Sequence, residues 1–179
     1  MPMIYDLVDC NDPILRTKME KFDFSNPPID PLELMENLAE TMLHHKGIGL
    51  SANQCGLPYR AFIMHGAELI PVFNPMIVHQ DDDDIYLEEG CLSFPNLFVK
   101  IKRPRTIKVR YTEPNGQTTT RVFDGITARV FQHELDHLDG IRYTSRANKI
   151  HLEKAHKDAK EVQRRIAKSQ PVNPLRGMK

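Results

Sequence analysis

Gln132-His133-Glu134-Leu135-Asp136-His137 is the stretch that decides how this chain folds and where its chemistry lies. On a helix, side chains four positions apart differ in direction by only about 40°, so both imidazoles can reach one cation. The helical pattern runs from about Asp124, and Gly140 is a suitable C-terminal cap. Its apolar side is predicted to carry Ile126, Val130 and Leu138. We therefore predict a central helix that presents two metal-ligand candidates.

Glu134 follows the first histidine directly, where its carboxylate can hydrogen-bond to an activated water without binding the metal. Chance also supplies such a motif on amphipathic helices in a chain with eight histidines. A catalytic site needs a third ligand. The best candidate is Cys91, because Gly90 before it permits close backbone approach. An isolated cysteine is otherwise usually a small buried hydrophobe, and we interpret Cys10 and Cys55 in this way.

The rest of the chain predicts one helix before the strands and one after the central helix. Asp30-Pro31 can cap and begin a helix that ends before Gly47. A third helix is predicted over about 145–169, and 170–179 is predicted to be a flexible tail. Apolar runs bounded by turn residues predict strands, the last two forming a hairpin, at 60–64, 70–73, 106–111 and 118–123. The predicted fold is α+β: a compact single domain of short antiparallel strands around the central helix.

The composition limits the classes of function. The chain has 179 residues, with 24 Lys and Arg against 24 Asp and Glu, so no overall charge attracts DNA or a membrane. Hydrophobic residues make up 40% and charged residues 27%, which is typical of a soluble globular protein. Three cysteines far apart form a poor disulfide framework, and the acidic start of the chain is unlike a secretory signal. We expect a cytoplasmic protein.

Two charged segments stand out against this neutral background. Residues 151–179 hold eight Lys and Arg against three acids, which makes one face of the third predicted helix basic. Part of the balancing negative charge lies in 81–84 and in Glu88 and Glu89. A solvated helix face with a solvated loop, and a surface for a partner, are equally compatible with these runs.

A third motif joins the two already described. The segment 47–54, GIGLSANQ, ends in Gln54, whose side-chain N–H groups can be aimed at an oxyanion. With EGCLS at 89–93 and QHELDHLDG at 132–140, in this order and at these separations, it resembles the three motifs of the peptide deformylases. The order of predicted elements up to about residue 145 is also similar to that family.

The resemblance implies a metal-dependent hydrolase that removes the N-formyl group from the N-terminal formylmethionine of nascent polypeptides, releasing formate. It implies a catalytic domain over 1–169 with Glu134 as the general acid and base. Gln54 and the backbone N–H of Leu92 would form the oxyanion hole. The implied metal ligands are Cys91, His133 and His137. The implied substrate-binding residues are Ile48, Gly49, Gly90, Ile126, Arg129 and Val130.

The chain departs mildly from the family pattern. Ser51 stands where the family usually has alanine, Asn53 occupies a variable position, and Phe94 replaces a smaller aliphatic residue. We expect Phe94 to narrow the substrate groove. Glu89, next to the ligand motif, is expected to pair with Arg103, although an arginine here is more often an exposed charge at a strand edge.

The resemblance implies one divalent metal ion per chain. Ferrous iron is the leading candidate, and zinc, nickel and cobalt are alternatives because sites with two histidines and one cysteine accept zinc readily. N-formylmethionyl peptides are the implied substrates, and the basic C-terminal helix is a candidate contact with the ribosome.

Two other functions stay open at this point. One is an HExxH metallopeptidase that cleaves internal peptide bonds, in which His151 or His156 would have to supply the third ligand. The other is a non-catalytic, metal-stabilised ribosome-binding module, in which a fourth protein ligand would fill the position of the water.

Overall fold

Three α-helices and seven β-strands make up residues 2–169, the part of the chain that the computed structural model describes. The helices are α1 (Pro31–His44), α2 (Gly125–Leu138) and α3 (Lys149–Ser169). The strands are β1 (Gly49–Ser51), β2 (Ala61–His65), β3 (Leu69–Gln80), β4 (Asp84–Cys91), β5 (Phe94–Pro104), β6 (Thr106–Thr112) and β7 (Thr118–Asp124). Short 3-10 turns occur at Pro13–Arg16, Ala52–Cys55 and Tyr143–Arg146. The tail predicted at 170–179 lies outside the described residues.

The strands form two antiparallel sheets on either side of α2. One sheet has five strands in the order β1-β2-β3-β6-β7, and the other is the β4–β5 hairpin. Ala128, Phe131 and Leu138 of α2 belong to the same apolar core cluster as Phe62 and Tyr111 of the large sheet. The α+β class and the central position of the motif helix are therefore confirmed.

The first helix begins and ends at the predicted signals. The Asp30 carboxylate accepts hydrogen bonds from the N–H groups of Leu32 and Glu33, and Pro31 occupies the first helical position. Lys46 adopts a left-handed conformation with φ 58°, and the N–H of Gly47 donates to the carbonyl of Met42. This geometry ends the helix and turns the chain into β1.

The central helix ends at Leu138, and Gly140 follows its C-cap residue, as the sequence predicts. Gly140 has φ +70°, and a Cβ there would lie 2.7 Å from the carbonyl carbon of Arg16, so both its backbone angle and its surroundings require glycine. Ile126 lies in the first turn of this helix and lines a cavity together with Val130, where it is 59% exposed.

The β4–β5 hairpin corrects the interpretation of Glu89 as part of a solvated acidic loop. Glu88 is exposed, but Glu89 is only 5% exposed. The inward side of β4 runs Ile85, Leu87, Glu89 and Cys91. The alternation is hard to see in the sequence because two of its four inward positions are polar or chemically reactive.

The third helix starts at Lys149 and not near Ser145. Residues Tyr143–Arg146 instead form a 3-10 turn, because Tyr143 is fully buried and its hydroxyl donates to the carbonyl of Leu97 at 2.7 Å. Ala155 and Ala159 then pack the helix on β5. None of the helices within 2–169 is long and apolar enough to cross a membrane.

Candidate metal centre

Cys91, His133 and His137 meet where the end of β4 faces α2. Their ligand atoms all lie within 4.8 Å of one another, and Sγ of Cys91 is 3.2 Å from Nε2 of His137. The helix brings the two imidazoles together through their spacing of four residues, and the hairpin supplies the sulfur. The predicted group of two nitrogens and one sulfur is confirmed.

Glu89 fixes the orientation of the first histidine. Its Oε2 lies 3.0 Å from Nδ1 of His133, so Nε2 of that ring faces the metal group. Arg103 donates to both carboxylate oxygens of Glu89, at 2.7 and 3.0 Å. Arg129 donates to Oε1 at 2.9 Å. The predicted pairing of Glu89 with Arg103 is confirmed, and the interpretation of Arg103 as an exposed strand-edge charge is wrong.

Asp136 extends this buried charge network towards the surface. It accepts a hydrogen bond from Arg103 at 2.7 Å, which joins β5 to α2. Arg146 donates to the other oxygen of Asp136, also at 2.7 Å.

Burial opposes ionisation of Glu89, but His133 and Arg103 hold the pKa of its carboxyl well below the ordinary value. The carboxylate is therefore charged at neutral pH.

The electrostatics of the donor group favour a cation. Burial opposes ionisation of the Cys91 thiol, but the two histidines hold its pKa well below the ordinary value. Burial also disfavours a charged His133, yet Cys91 and Glu89 raise the pKa of its imidazole to about 10. The donor atoms that bind a proton this strongly can also bind a metal ion, and the proton is released when the metal binds. The residues present therefore fit a divalent metal.

Glu134 lies beside the donor group with unused hydrogen-bonding capacity. Its side chain is buried, and Oε2 has no hydrogen-bond partner among the residues that the structure describes. Burial raises the pKa of Glu134, whereas the neighbouring imidazoles lower it. Gly49 packs directly against this carboxylate, where a Cβ would lie 2.9 Å from Cδ of Glu134. The backbone of β1 thus forms one wall around the acid.

Gln54 presents its amide nitrogen to the same place. Its Oε1 accepts hydrogen bonds from the backbone N–H and the hydroxyl of Ser51, at 3.0 and 2.9 Å. Its Nε2 donates to Oγ of Ser93 at 3.0 Å and lies 3.5 Å from Sγ of Cys91. The donor end of the amide therefore faces the metal ligands, as an oxyanion donor requires.

A cavity of about 470 Å³ opens beside these groups. All of the predicted substrate-binding residues line it: Ile48, Gly49, Gly90, Ile126, Arg129 and Val130. Leu92 lines it too, next to Cys91. The guanidinium of Arg129, however, donates to Glu89 and to the backbone carbonyls of Ile85 and Ile101, so its polar atoms are held by the protein.

Two aromatic residues of β5 differ from expectation. Phe94 does not narrow the cavity, because its ring packs against Tyr143 and under the guanidinium of Arg142. Phe98, which no motif indicated, lines the cavity with a half-exposed ring. The signal that could have found it is the strand alternation, in which Leu97 and Val99 are buried and Phe98 faces the other way.

The other two cysteines lie away from this centre. Cys10, Cys55 and Cys91 are all free thiols. Burial raises the pKa of the Cys55 thiol to about 12, which keeps it protonated and unreactive. Cys55 packs against the core cluster that contains the buried residues of α1, and Cys10 is half-buried.

Two imidazoles, one thiolate and an adjacent unpaired carboxylate are the chemistry of a metal-dependent hydrolase. Comparison with known proteins then gives the particular family. The family model described as polypeptide deformylase matches residues 4–153, and the chain belongs to the peptide deformylase family. It is a hydrolase that removes the formyl group from N-terminal formylmethionine.

Individual relatives agree in sequence and in fold. The chain is 45% identical to the peptide deformylase of Thermotoga petrophila over 135 residues, which are 73% of this chain and 79% of the relative. The crystal structure of the peptide deformylase from Thermus thermophilus superposes with a TM-score of 0.81 at 33% identity, covering 94% of this chain and 100% of that one. A plant peptide deformylase gives 0.81 at 28% identity, covering 95% of each chain.

The two alternative functions lose their structural basis in the described residues. Cys91 completes the donor group, so neither His151 nor His156 is needed as a third ligand. The group within 2–169 contains three donors, whereas a closed structural site would need four.

Proposed function

We propose that Cys91, His133 and His137 hold one divalent metal ion and that Glu134 moves the protons of the reaction. The observation that carries this proposal is the buried Oε2 of Glu134, which has no partner within the described residues although it lies beside the three donors. A buried carboxylate oxygen without a partner is costly in a folded protein. A water molecule as its hydrogen-bond donor removes that cost and is a reactant of hydrolysis.

A metal ion held by Cys91, His133 and His137 would supply Lewis acidity and would lower the pKa of a nearby water towards neutrality. Glu134 accepts a proton from this water, and the resulting hydroxide attacks the formyl carbon. Negative charge collects on the formyl oxygen as its C=O bond opens. Nε2 of Gln54 and the backbone N–H of Leu92 donate to that oxygen.

The same carboxyl group completes the proton balance. When the C–N bond breaks, the departing amine needs a proton, and Glu134 returns the one that it took from water. Formate and a free amino group on methionine are the products. Burial of Glu134 raises its pKa, which brings it closer to the working pH and suits a group that must both accept and release a proton.

The cavity fits the first side chain of an N-formylmethionyl peptide. Ile48, Ile126 and Val130 offer apolar surface for an unbranched thioether side chain. Gly49 and Gly90 lack side chains at the wall, so the substrate backbone can approach closely. Arg129 contributes to this wall through its aliphatic stem and supports Glu89 with its guanidinium.

Ferrous iron is the metal that we propose for the native enzyme, with zinc, nickel or cobalt as alternatives. Ligand type alone does not favour iron, since the affinity order of divalent metals places it below the other three. The test is anaerobic purification, elemental analysis and reconstitution of the stripped enzyme with each metal in turn. Highest turnover with zinc would overturn the choice of iron and leave the ligand set intact.

The catalytic unit that we propose spans 1–169 and works in the cytoplasm, where the ribosome delivers formylated nascent chains. Exposed basic residues of α3 are the proposed contact with rRNA phosphates. They include Lys157, Lys160 and Arg164. The ion pairs on α3 join its basic residues to acidic residues of the same helix. Because the basic residues outnumber the acidic ones, the surface of the helix keeps a net positive charge.

Charge reversal tests the ribosome contact better than truncation, because Ala155 and Ala159 of α3 cover β5 and their loss would expose the core. We expect Lys157→Glu, Lys160→Glu and Arg164→Glu together to abolish salt-sensitive cosedimentation with ribosomes while activity on short peptides is kept. The matched control reverses Lys108, Arg110 and Arg121 on the large sheet, which gives the same change in net charge. An equal loss of cosedimentation in both triple variants would show that ribosome association depends on the net charge of the protein and not on the surface of α3.

The function itself is tested by formate release. We expect the purified enzyme to release formate from a formyl-Met peptide, to lose this activity in chelator and to regain it when metal is restored. An N-blocked protein substrate should stay uncleaved. Cleavage of internal peptide bonds in that substrate would instead identify a metallopeptidase.

A further inference from the structure

Ser51 is the last residue of β1 and its side chain is fully buried. Its hydroxyl donates to Oε1 of Gln54 at 2.9 Å, and its backbone N–H donates to the same oxygen at 3.0 Å. One amide oxygen therefore receives two hydrogen bonds from a single residue. A carbonyl oxygen has two lone pairs, so this acceptor is saturated.

The other end of the Gln54 amide is held as well. Nε2 donates to Oγ of Ser93 at 3.0 Å, and 3.5 Å separates it from Sγ of Cys91. A reversed amide would direct Nε2 at the backbone N–H of Ser51, donor against donor, which is repulsive. Ser51 thus excludes the one alternative orientation that would turn the N–H groups of Gln54 away from the metal ligands.

We infer that Ser51 is a positioning residue whose hydroxyl fixes the amide of Gln54 for the deformylation step. The inference rests on the proposed role of Gln54 as an oxyanion donor. An alanine at this position would leave only the backbone N–H on Oε1. The serine hydroxyl is thus a second, independent restraint that this chain adds to its donor.

A buried hydroxyl can also contribute to packing alone, and Thr41 provides the matched control. It is fully buried in α1, its hydroxyl donates to the carbonyl of Asn37 at 2.7 Å, and it accepts from the N–H of Tyr5 at 3.0 Å. Thr41 touches neither Gln54 nor the cavity. Thr41→Val therefore removes a buried hydroxyl without disturbing the amide.

The test is a double-mutant cycle on the metal-loaded enzyme with a formyl-Met peptide. We expect Ser51→Ala to lower kcat about three- to tenfold with KM unchanged, the range that one neutral hydrogen bond supports. Gln54→Leu should lower kcat on the order of a hundredfold or more while metal content is kept. In the Gln54→Leu background, Ser51→Ala should change kcat by less than about twofold, because the group that it positions is gone. Thr41→Val should keep the kcat of the unaltered enzyme.

Other outcomes overturn the inference in distinguishable ways. An equal loss from Ser51→Ala in both backgrounds would assign the serine a role that is separate from Gln54, through the hydrogen bond between its side chain and the carboxylate of Glu134. Unchanged kcat in Ser51→Ala alone would show that the backbone N–H suffices. Normal turnover in Gln54→Leu would overturn the oxyanion role proposed for Gln54, and the role of Ser51 with it. The melting temperature of the Ser51→Ala variant checks that it folds, and a loss of kcat in a variant that melts at an unchanged temperature is assigned to the amide of Gln54.

Discussion

The helices α2 and α3 are both amphipathic and rich in charge, yet they use their charges in opposite ways. Ten of the 14 residues of α2 are buried, against two of 21 in α3. Arg129 and Asp136 of α2 find their partners on other elements of the fold. The acidic side chains of α3 pair with basic residues of the same helix, at Lys149–Glu153, Lys154–Asp158 and Glu161–Arg165.

This difference shows that the location of the ion-pair partners decides whether the charged side chains of a helix can form a catalytic site. The charges of Arg129 and Asp136 are buried together with their partners on β4 and β5, and the packing of both elements fixes their direction. A charge whose partner lies four residues away on the same helix stays in solvent and can move freely. We therefore expect substitutions in α2 to change catalysis and stability strongly, and matched substitutions in α3 to change them little.

The largest effect is expected at Glu134. Glu134→Gln keeps the shape of the side chain but removes the group that accepts and returns the proton, so kcat should fall by about 10²–10⁴-fold. Metal content should stay the same, because Glu134 is not part of the donor group. The measurements are formate release and elemental analysis. Glu161→Gln on α3 is the matched control and should keep full activity; a Glu134→Gln variant with more than a tenth of the activity would contradict the assignment.

The next effect is expected at Glu89. Glu89→Gln leaves Arg103 and Arg129 without their buried anion, so the free energy of unfolding should fall by about 3–5 kcal/mol. Metal affinity should fall about 10- to 100-fold, because His133 loses the carboxylate that orients it. Urea denaturation and metal titration measure the two effects. Glu88→Gln changes the neighbouring, exposed carboxylate and should alter neither quantity.

The pH dependence of the Glu89→Gln effect gives a further check. The pKa of Glu89 is lowered in the folded protein from an ordinary value of 4.5. Its contribution to stability is therefore fully present above the unfolded pKa and is lost as the pH falls from there towards the folded pKa. The difference in unfolding free energy between the unaltered protein and Glu89→Gln should shrink as the pH falls below about 4.5. A difference that grows on acidification would show that Glu89 is protonated in the fold.

A smaller effect is expected at Gly49, on the strand that faces α2. In Gly49→Ala the new Cβ would lie 2.9 Å from both Cδ of Glu134 and Cγ1 of Val130, so the carboxylate must shift. Misplacement of a catalytic group typically costs up to about a hundredfold, and we expect a loss of kcat of about ten- to a hundredfold. Gly66→Ala, where the closest atom to the new Cβ would be the flexible end of Ile70, is the control. Equal kcat in the two variants would contradict the tight fit around Glu134.

The smallest effect is expected on α3. Lys154→Ala breaks an ion pair with Asp158 in which both side chains are mostly exposed. Solvent screens such pairs, and ordering two long side chains offsets the attraction. We expect no measurable change in melting temperature, in metal content or in formate release. A clear loss of stability would show that the pairs within α3 matter as much as those of α2.

The sequence predicted the parts of the molecule whose signals are local. The cap at Asp30, the glycine at 140 and the hairpin at 106–123 each depend on neighbours within a few residues, and all were found. The ligand pair His133 and His137 is local as well. Cys91 was predicted as the third ligand because Gly90 before it permits close backbone approach, and the resemblance of the three motifs to one family implied the same residue.

The parts that were missed depend on contacts between distant segments. The interpretation of Glu89 as solvated failed because the partners that bury it, Arg103 and Arg129, are 14 and 40 residues away. The start of α3 was misplaced because Tyr143 is drawn into the core by a hydrogen bond to Leu97, 46 residues away. Periodicity within a segment carries no information about such contacts, and only the folded arrangement of β4, β5 and α2 reveals them.

The origin of the three ligands on two elements has a consequence for how the centre fails. Both nitrogen ligands lie on α2, so they move together, whereas the sulfur ligand lies at the end of β4 in the separate β4–β5 hairpin. The carboxylate of Glu89 links this hairpin to α2 through Arg129 and His133. If the β4–β5 hairpin separates from α2, the metal ion loses the thiolate of Cys91 before it loses either imidazole. Loss of activity by heat or acid should therefore begin at the β4–β5 edge and precede collapse of the main sheet.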